Sequence, residues 1–359
     1  MRKVINLMLG TEPGGQGGIA TVAHGLKSSG FFAEHNVRYL VTHSSKSRHA
    51  VIALLLFARA CLLLGYYLLF YRVGLVHLHI ASRGSYTRKA LLMRLGKAFG
   101  AKIVIHLHGG EFAGFFQSEC SLKQQRHIRA SFDLADRVIV LSSTWLDWVN
   151  TTLLTGQKKA QVIYNAVEEP GATGKKQTSE NILCLGRLSH KKGTGDLIAA
   201  FGKIANRYPD SRLILGGDGD IKRYQHQAKA LGVQDRVEFL GWVAGKDKHR
   251  QLVEACIYVL PSYHEGFPMG VLEAMSAEVA VIASRVGGIP DAIEHAREGI
   301  LIDAGDIDAL GDALELLLSD AGLRSRYTRA AKQKYQQNFT AKIMLGQLDH
   351  LYRELLTDL

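Results

Sequence analysis

The chain is poor in cysteine. Its four cysteines, at 61, 120, 184 and 256, form no CxxC pair and no other paired spacing. That excludes a disulfide framework and a cysteine-based zinc site, and fits reduced thiols in the cytoplasm. Acidic residues are missing more locally. None occurs between Glu34 and Glu111, a stretch that holds 11 Lys and Arg. Residues 1–170 carry 20 Lys and Arg against 9 Asp and Glu, whereas residues 171–359 carry 24 of each. The formal excess of +11 therefore lies in the first half. Such a surface attracts polyanions or an anionic membrane. No zinc-finger or RNA-binding-sheet signature accompanies it, so nucleic acid is not the expected partner. The opening MRKVINLMLGTEPGG is basic, then apolar, but its apolar run is short and turns into a glycine loop. The expectation is a first strand rather than a signal peptide.

One apolar run is long. Residues 50–71 are 22 in number with a single charge, Arg59, near the middle. The length suffices to span a bilayer. The central Arg and the position inside a βαβ pattern argue against insertion. The expectation is a partly buried helix with an exposed apolar strip; a fully buried core helix and a true span are the alternatives. Flanked by Lys46, Arg48, Arg72, Arg83, Arg88 and Lys89, such a strip would lie on an anionic leaflet, placing the protein peripherally on the inner face of the plasma membrane.

A chain of 359 residues exceeds one ordinary core and implies two domains. Strand-like runs alternate with helix-like ones: VINLML, VRYLVT, LVHLHI, KIVIHL and RVIVLS in the first half, NILCLG, RLILGG, RVEFLG, YVLPS, VAVIAS and GILIDA in the second. Short β-rich runs separated by helices read as a parallel sheet covered on both faces. The segment EEPGATGKKQTSE at 168–180 breaks the pattern. The expected organisation is a Rossmann-like domain over 1–168, a linker over 169–180, a second such domain over 181–335, and a C-terminal helix over 336–359 returning to the first domain. Two doubly wound domains would face each other across a cleft at the carboxyl ends of their strands, where ligands bind.

The most informative segment is Glu265–Glu273, EGFPMGVLE. It follows a strand-like run and leads into a helix, so its Gly-rich turn forms an anion site from free backbone N–H groups. With Glu265 in the turn and Glu273 on the helix, the carboxylates reach opposite ends of a ligand. A diphosphate with hydroxyl-bearing rings on both sides, a nucleotide sugar, fits. Arg187 and Lys192 follow a strand end and read either as solvated loop charge or as two cations facing that diphosphate. Gly15, Gly17 and Gly18 stand between the first strand and first helix, as a flexible turn or a close approach of backbone to a phosphate or sugar. Their spacing misses the dinucleotide pattern, and no acidic residue closes the second strand, which counts against an NAD site. His108 ends a strand before Gly109, as a packing group or as a hydrogen-bonding group at the strand mouth. The His pairs at 77–79 and 106–108 and the Asp218–Gly–Asp220 turn resemble metal-ligand patterns, but their positions favour structural roles and no metal is expected.

The chain resembles the retaining glycosyltransferases of family four, which have the GT-B fold. The motifs that carry this are GRLSHKKG (186–193), FLGWV (239–243), SYHEGFPMGVLEAMSAEVAVIAS (262–284), GGIPDAIEH (287–295) and GILIDAGD (299–306), with GGQGGIA, HLHGG and VIYNAV in the first half. The resemblance implies a nucleotide-diphosphate-sugar donor and no other cofactor. It implies that Arg187 and Lys192 neutralise the leaving diphosphate, that Glu265 and His108 lie against the transferred sugar, and that Glu273 binds the ribose hydroxyls. The backbone from Gly266 through Phe267 and Pro268 to Met269 would cradle the phosphates. It further implies a glycan acceptor linked to polyprenyl diphosphate, in bacterial exopolysaccharide, capsule or O-antigen synthesis. An epimerase of nucleotide sugars and a non-catalytic glycan-binding protein are the alternatives.

Overall fold

The computed structural model describes residues 4–44, 50–156, 159–169 and 179–357. It divides into two units, one of Met1–Ala166 with Ala341–Leu359, the other of Val167–Thr340. Lys46, Arg48 and most of the expected linker lie outside the described residues.

The first unit is built on a six-stranded sheet of β1 (Val4–Thr11), β2 (Val37–His43), β3 (Arg72–Ile80), β4 (Lys102–Leu107), β5 (Arg137–Val140) and β6 (Ala160–Val162). The order is β2-β1-β3-β4-β5-β6, and every pairing is parallel. Alternate residues of one strand serve opposite faces. Leu7, Val76, Leu78, Ile103, Ile105 and Val138 enter one core; Met8, Leu75, Val104 and Ile139 enter another, with Leu348, Leu351 and Tyr352. The continuous apolar runs of these strands follow from that double burial. The last helix, Ala341–Leu356, belongs to this unit and covers the second of these faces.

The apolar run forms the helix Ala50–Phe70. Ala60, Leu64 and Leu68 are buried, but Val51, Leu54, Leu55, Leu62, Leu69 and Phe70 are each more than half exposed. A fully buried core helix is thereby excluded. The exposed side is broad because apolar residues surround the helix, where an ordinary surface helix would carry charge.

The second unit holds β7 (Asn181–Leu185), β8 (Arg212–Gly216), β9 (Val237–Gly241), β10 (Ile257–Leu260), β11 (Ala280–Ser284) and β12 (Gly299–Ile302). Its order is β12-β11-β10-β7-β8-β9, again wholly parallel. This is the doubly wound arrangement. Chain progression reverses between β7 and β10, and the loops leaving their carboxyl ends diverge there to open a crevice.

Candidate functional site

The crevice of the second unit gathers several of the residues singled out above. After β7 the chain passes Gly186 and Arg187 and forms a single turn, His190–Lys192. After β10 it passes Ser262 and Glu265 before the helix Met269–Ser276. Lys192 Nζ donates to Glu265 Oε1 at 2.5 Å, and Ser262 Oγ donates to the same oxygen at 2.7 Å. Glu265 is buried, so the two donors satisfy a carboxylate that would otherwise be costly to desolvate.

The two loops are joined at several points. Tyr263 N–H donates to the carbonyl of Lys191 at 2.9 Å, and the rings of His190 and Tyr263 stack with centroids 4.8 Å apart. Gly193 has φ of 66° and lies directly against the Pro261 carbonyl, where no Cβ fits. On the far side of Glu265, Gly288 N–H donates to the carbonyl of Gly266 at 2.8 Å.

Pro268 precedes the helix Met269–Ser276, and no side chain caps that helix. Its first N–H groups are therefore left to a ligand or water. Phe267 is buried. Glu273, on the same helix, accepts from Lys248 Nζ at 2.5 Å. Arg187 is exposed and makes no ion pair among the described residues.

The Asp218–Asp220 turn has a structural account. Gly217 and Gly219 abut the carbonyls of Gly186 and Leu188 too closely for a side chain. Leu188 N–H donates to the Asp218 carbonyl at 2.6 Å. The Asp220 side chain caps the helix Ile221–Ala230 by accepting from the Arg223 N–H. The turn thus shapes the Arg187 loop, and neither aspartate joins a potential metal-ligand group among the described residues.

The first unit places its candidates on loops at the carboxyl ends of β1 and β4. Gly17 has φ of 102° and precedes the helix Gly18–Ser28, which has no side-chain cap. Space is open around Gly14, Gly17 and Gly18, as a backbone surface for a ligand requires. Gly15 N–H donates to the Glu12 carbonyl, closing the turn. His108 is partly buried, its backbone N–H donates to the Ile80 carbonyl at 2.8 Å, and its ring Nε2 is hydrogen-bonded to His79 Nδ1 at 2.8 Å. Burial holds its imidazole down to about 3, with His77 and Lys89 adding to the effect, so it is neutral at physiological pH.

Sequence reasoning missed Ser262, Lys248, His79 and Lys89 as members of these sites. Lys89 is buried; Ser85 Oγ accepts from it at 3.0 Å. Desolvation, then Arg88, lowers its ammonium to about 7. The HLH alternation was the available signal for His79, because residues two apart share a sheet face. Ser262 and Lys248 carried none.

Comparison with known proteins gives a consistent picture. The family described as "Glycosyl transferases group 1" matches residues 166–334, and "Glycosyltransferase Family 4" matches residues 19–169. An uncharacterised glycosyltransferase of Methanocaldococcus jannaschii is 31% identical over 57% of this chain and 56% of its own length. The chain thus spans about half the length of that relative. N-acetyl-alpha-D-glucosaminyl L-malate synthase of Bacillus anthracis is 28% identical over 80% of this chain and 76% of its own. Among solved structures, sucrose-phosphate synthase from Thermosynechococcus elongatus superposes with a TM-score of 0.79 at 19% identity, covering 99% of this chain and 100% of the other. HepE of Anabaena, solved in complex with UDP, gives 0.74 at 18% identity, covering 98% and 100%. Both share the fold described above.

Proposed function

We propose that this chain, which matches the group 1 and family 4 glycosyltransferase models, is a GT-B fold glycosyltransferase that moves a hexose from a GDP- or UDP-linked donor to a glycan acceptor with retention of configuration. The observation that carries this reading is the cluster of Lys192, Ser262 and Glu265 beside the uncapped start of the helix Met269–Ser276. A buried carboxylate and a cation stand together beside a helix start that no side chain caps. A diphosphate is the ligand that uses both features.

In this reading the N–H groups near Gly266–Met269 hold the phosphates, with Arg187 and Lys192 as counter-charges. Lys192 leaves its pairing with Glu265 in part to meet the leaving diphosphate, whose charge rises as the sugar–oxygen bond breaks. Glu265 then faces positive charge developing at the anomeric carbon. Glu273, oriented by Lys248, accepts from the ribose hydroxyls. His108 meets a hydroxyl of the transferred sugar, and the glycine loop at 14–18 lies against the donor. The departing phosphate oxygen takes the proton of the incoming hydroxyl, so neither a covalent intermediate nor a divalent metal is needed.

The acceptor in this reading is a glycan on polyprenyl diphosphate at the cytoplasmic membrane surface. The basic first half and the exposed apolar side of the helix Ala50–Phe70 support it, because an apolar strip beside cations binds anionic lipid. The deciding experiment is a screen of nucleotide sugars against lipid-linked and soluble glycan acceptors, with uridine donors first because HepE holds UDP. Release of nucleoside diphosphate that requires the lipid-linked acceptor supports the full proposal. Release with soluble glycans alone removes the lipid. No release with any pair removes the transfer reaction.

A further inference from the structure

Four imidazoles line one face of the first sheet. His77 and His79 lie on β3 and His106 on β4, all fully buried, and His108 follows at the β4 mouth. Neighbouring rings stand 4.1–5.3 Å apart, centroid to centroid. His77 Nδ1 is 2.9 Å from Tyr352 Oη, His77 Nε2 is 3.2 Å from His106 Nδ1, and His79 Nδ1 is 2.8 Å from His108 Nε2. Among the described residues no carboxylate is hydrogen-bonded to any of the four. Of the three remaining nitrogens, His79 Nε2 and His106 Nε2 are buried and have no hydrogen-bond partner among the described residues; the third is His108 Nδ1, at the β4 mouth.

Each imidazole–imidazole hydrogen bond needs one N–H and one lone pair, and a neutral ring carries one of each. In the His79–His108 pair the proton lies on one of two nitrogens. If His108 donated through Nε2–H, His79 would accept at Nδ1 and carry its own proton on Nε2. That would place an N–H donor in the core without an acceptor, and unpartnered buried N–H groups are rarer than unpartnered acceptors. With the donor on His79 Nδ1, only a lone pair is left bare. The deeper pair does not discriminate: if His106 Nδ1–H donates to His77 Nε2 and His77 Nδ1–H to Tyr352 Oη, the Tyr352 O–H is left bare, and in the reverse direction His106 Nε2–H is. The rule therefore decides the His79–His108 pair.

We infer that His79 is a positioning residue that fixes the tautomer of His108: His79 donates Nδ1–H to His108 Nε2, so His108 offers an Nδ1–H donor, not a basic lone pair, to the sugar. This rests on the proposed function only in naming the sugar as the group His108 meets. Two consequences follow. His108 acts by donating to a hydroxyl oxygen and not as a general base. That agrees with proton transfer to the departing phosphate oxygen.

Long-range nitrogen–proton correlation of the ring nitrogens in the 15N-labelled full chain tests the tautomer, with the His108 signals assigned by their loss in His108→Gln. A protonated Nδ1 and an unprotonated Nε2 on His108 are expected; the reverse overturns the inference. The positioning role is tested by kinetics. Asn places an amide nitrogen near the Nδ1 position, so His79→Asn should keep kcat within about threefold. His79→Leu removes the donor and should lower kcat about tenfold, the scale of one neutral hydrogen bond, with donor KM little changed. Equal kcat in His79→Leu and the parent refutes positioning even if the tautomer is as stated. Should His79→Leu fail to fold, the spectrum of the unaltered protein still decides the tautomer. If no donor is turned over, the transfer reading fails while the ring-nitrogen result stands by itself.

Discussion

Gly193→Ala probes the joint between the two loops of the crevice. Gly193 follows Lys192, has φ of 66°, and lies against the Pro261 carbonyl with no room for a Cβ. Two costs combine. A non-glycine residue in the left-handed region costs roughly 1–2 kcal/mol. Forcing a methyl group against rigid backbone costs roughly 1–3 kcal/mol more, because the loop must shift. The sum is about 3 kcal/mol, which lowers the melting temperature of a domain this size by about 6–12 °C. The shift carries Lys192 away from Glu265, so affinity for a nucleoside diphosphate should fall as well. Gly232→Ala is the control, since Gly232 has φ of 69° but nothing near its Cβ position. It should pay only the conformational cost and leave nucleotide affinity unchanged. Calorimetric melting and titration with UDP and GDP on both variants read the two effects. If Gly193→Ala is no less stable than Gly232→Ala and binds nucleotide equally well, the close approach to Pro261 does not hold the site together.

Glu265→Gln should lower turnover far more than nucleotide affinity, and Glu273→Gln should mainly weaken nucleotide binding. Donor titrations with direct binding of the nucleoside diphosphate separate the two, and equal effects on both quantities from both variants refute the assignment. Lys192→Ala should raise the barrier by about 2–4 kcal/mol, the scale of one oriented electrostatic contact, and transfer should persist in excess chelator. Activity that vanishes with chelator and returns with Mg²⁺ or Mn²⁺ refutes the metal-free mechanism. The Lys89 ammonium titrates near 7 in the folded protein against 10.5 in the open chain. Below about pH 7 both states are protonated and folding bears the full burial penalty. Between pH 7 and 10.5 the unfolded chain binds the extra proton, so this group makes stability rise with pH by up to about 1.4 kcal/mol per unit. Lys89→Met should flatten that rise in denaturant titrations; an unchanged slope contradicts the buried amine. Flotation with liposomes should show binding that increases with anionic lipid, and Leu55→Ser with Leu62→Ser should weaken it. Indifference of both proteins to anionic vesicles at physiological salt removes the membrane surface from the reading.

The doubly wound fold was legible in the sequence, because a strand buried on both faces is apolar without interruption. VINLML lies inside β1, KIVIHL spans β4, and VAVIAS covers β11 with one residue before it, for that reason. The EGFPMG turn was legible too, since glycine and proline between strand and helix leave few backbone paths. The charge asymmetry and the apolar run at 50–71 are properties of composition alone. Tertiary structure decided what lies beside what. Periodicity cannot tell which face of a 22-residue apolar run is covered, so only packing revealed the exposure of Leu55 and Leu62. Lys192 and Glu265 are 73 residues apart, and they meet because β7 and β10 are neighbours at the point where chain order reverses. Lys248 reaches Glu273 and Ser262 turns to Glu265 through contacts that no local pattern announces. The histidines alternate visibly along two strands, but only parallel pairing in register, His79 opposite His106, packs four separate rings together as two hydrogen-bonded sets, His77 with His106 and Tyr352, and His79 with His108. Local chemistry is set by residue type and spacing, whereas long-range contact is set by strand order, which the chain acquires only on folding.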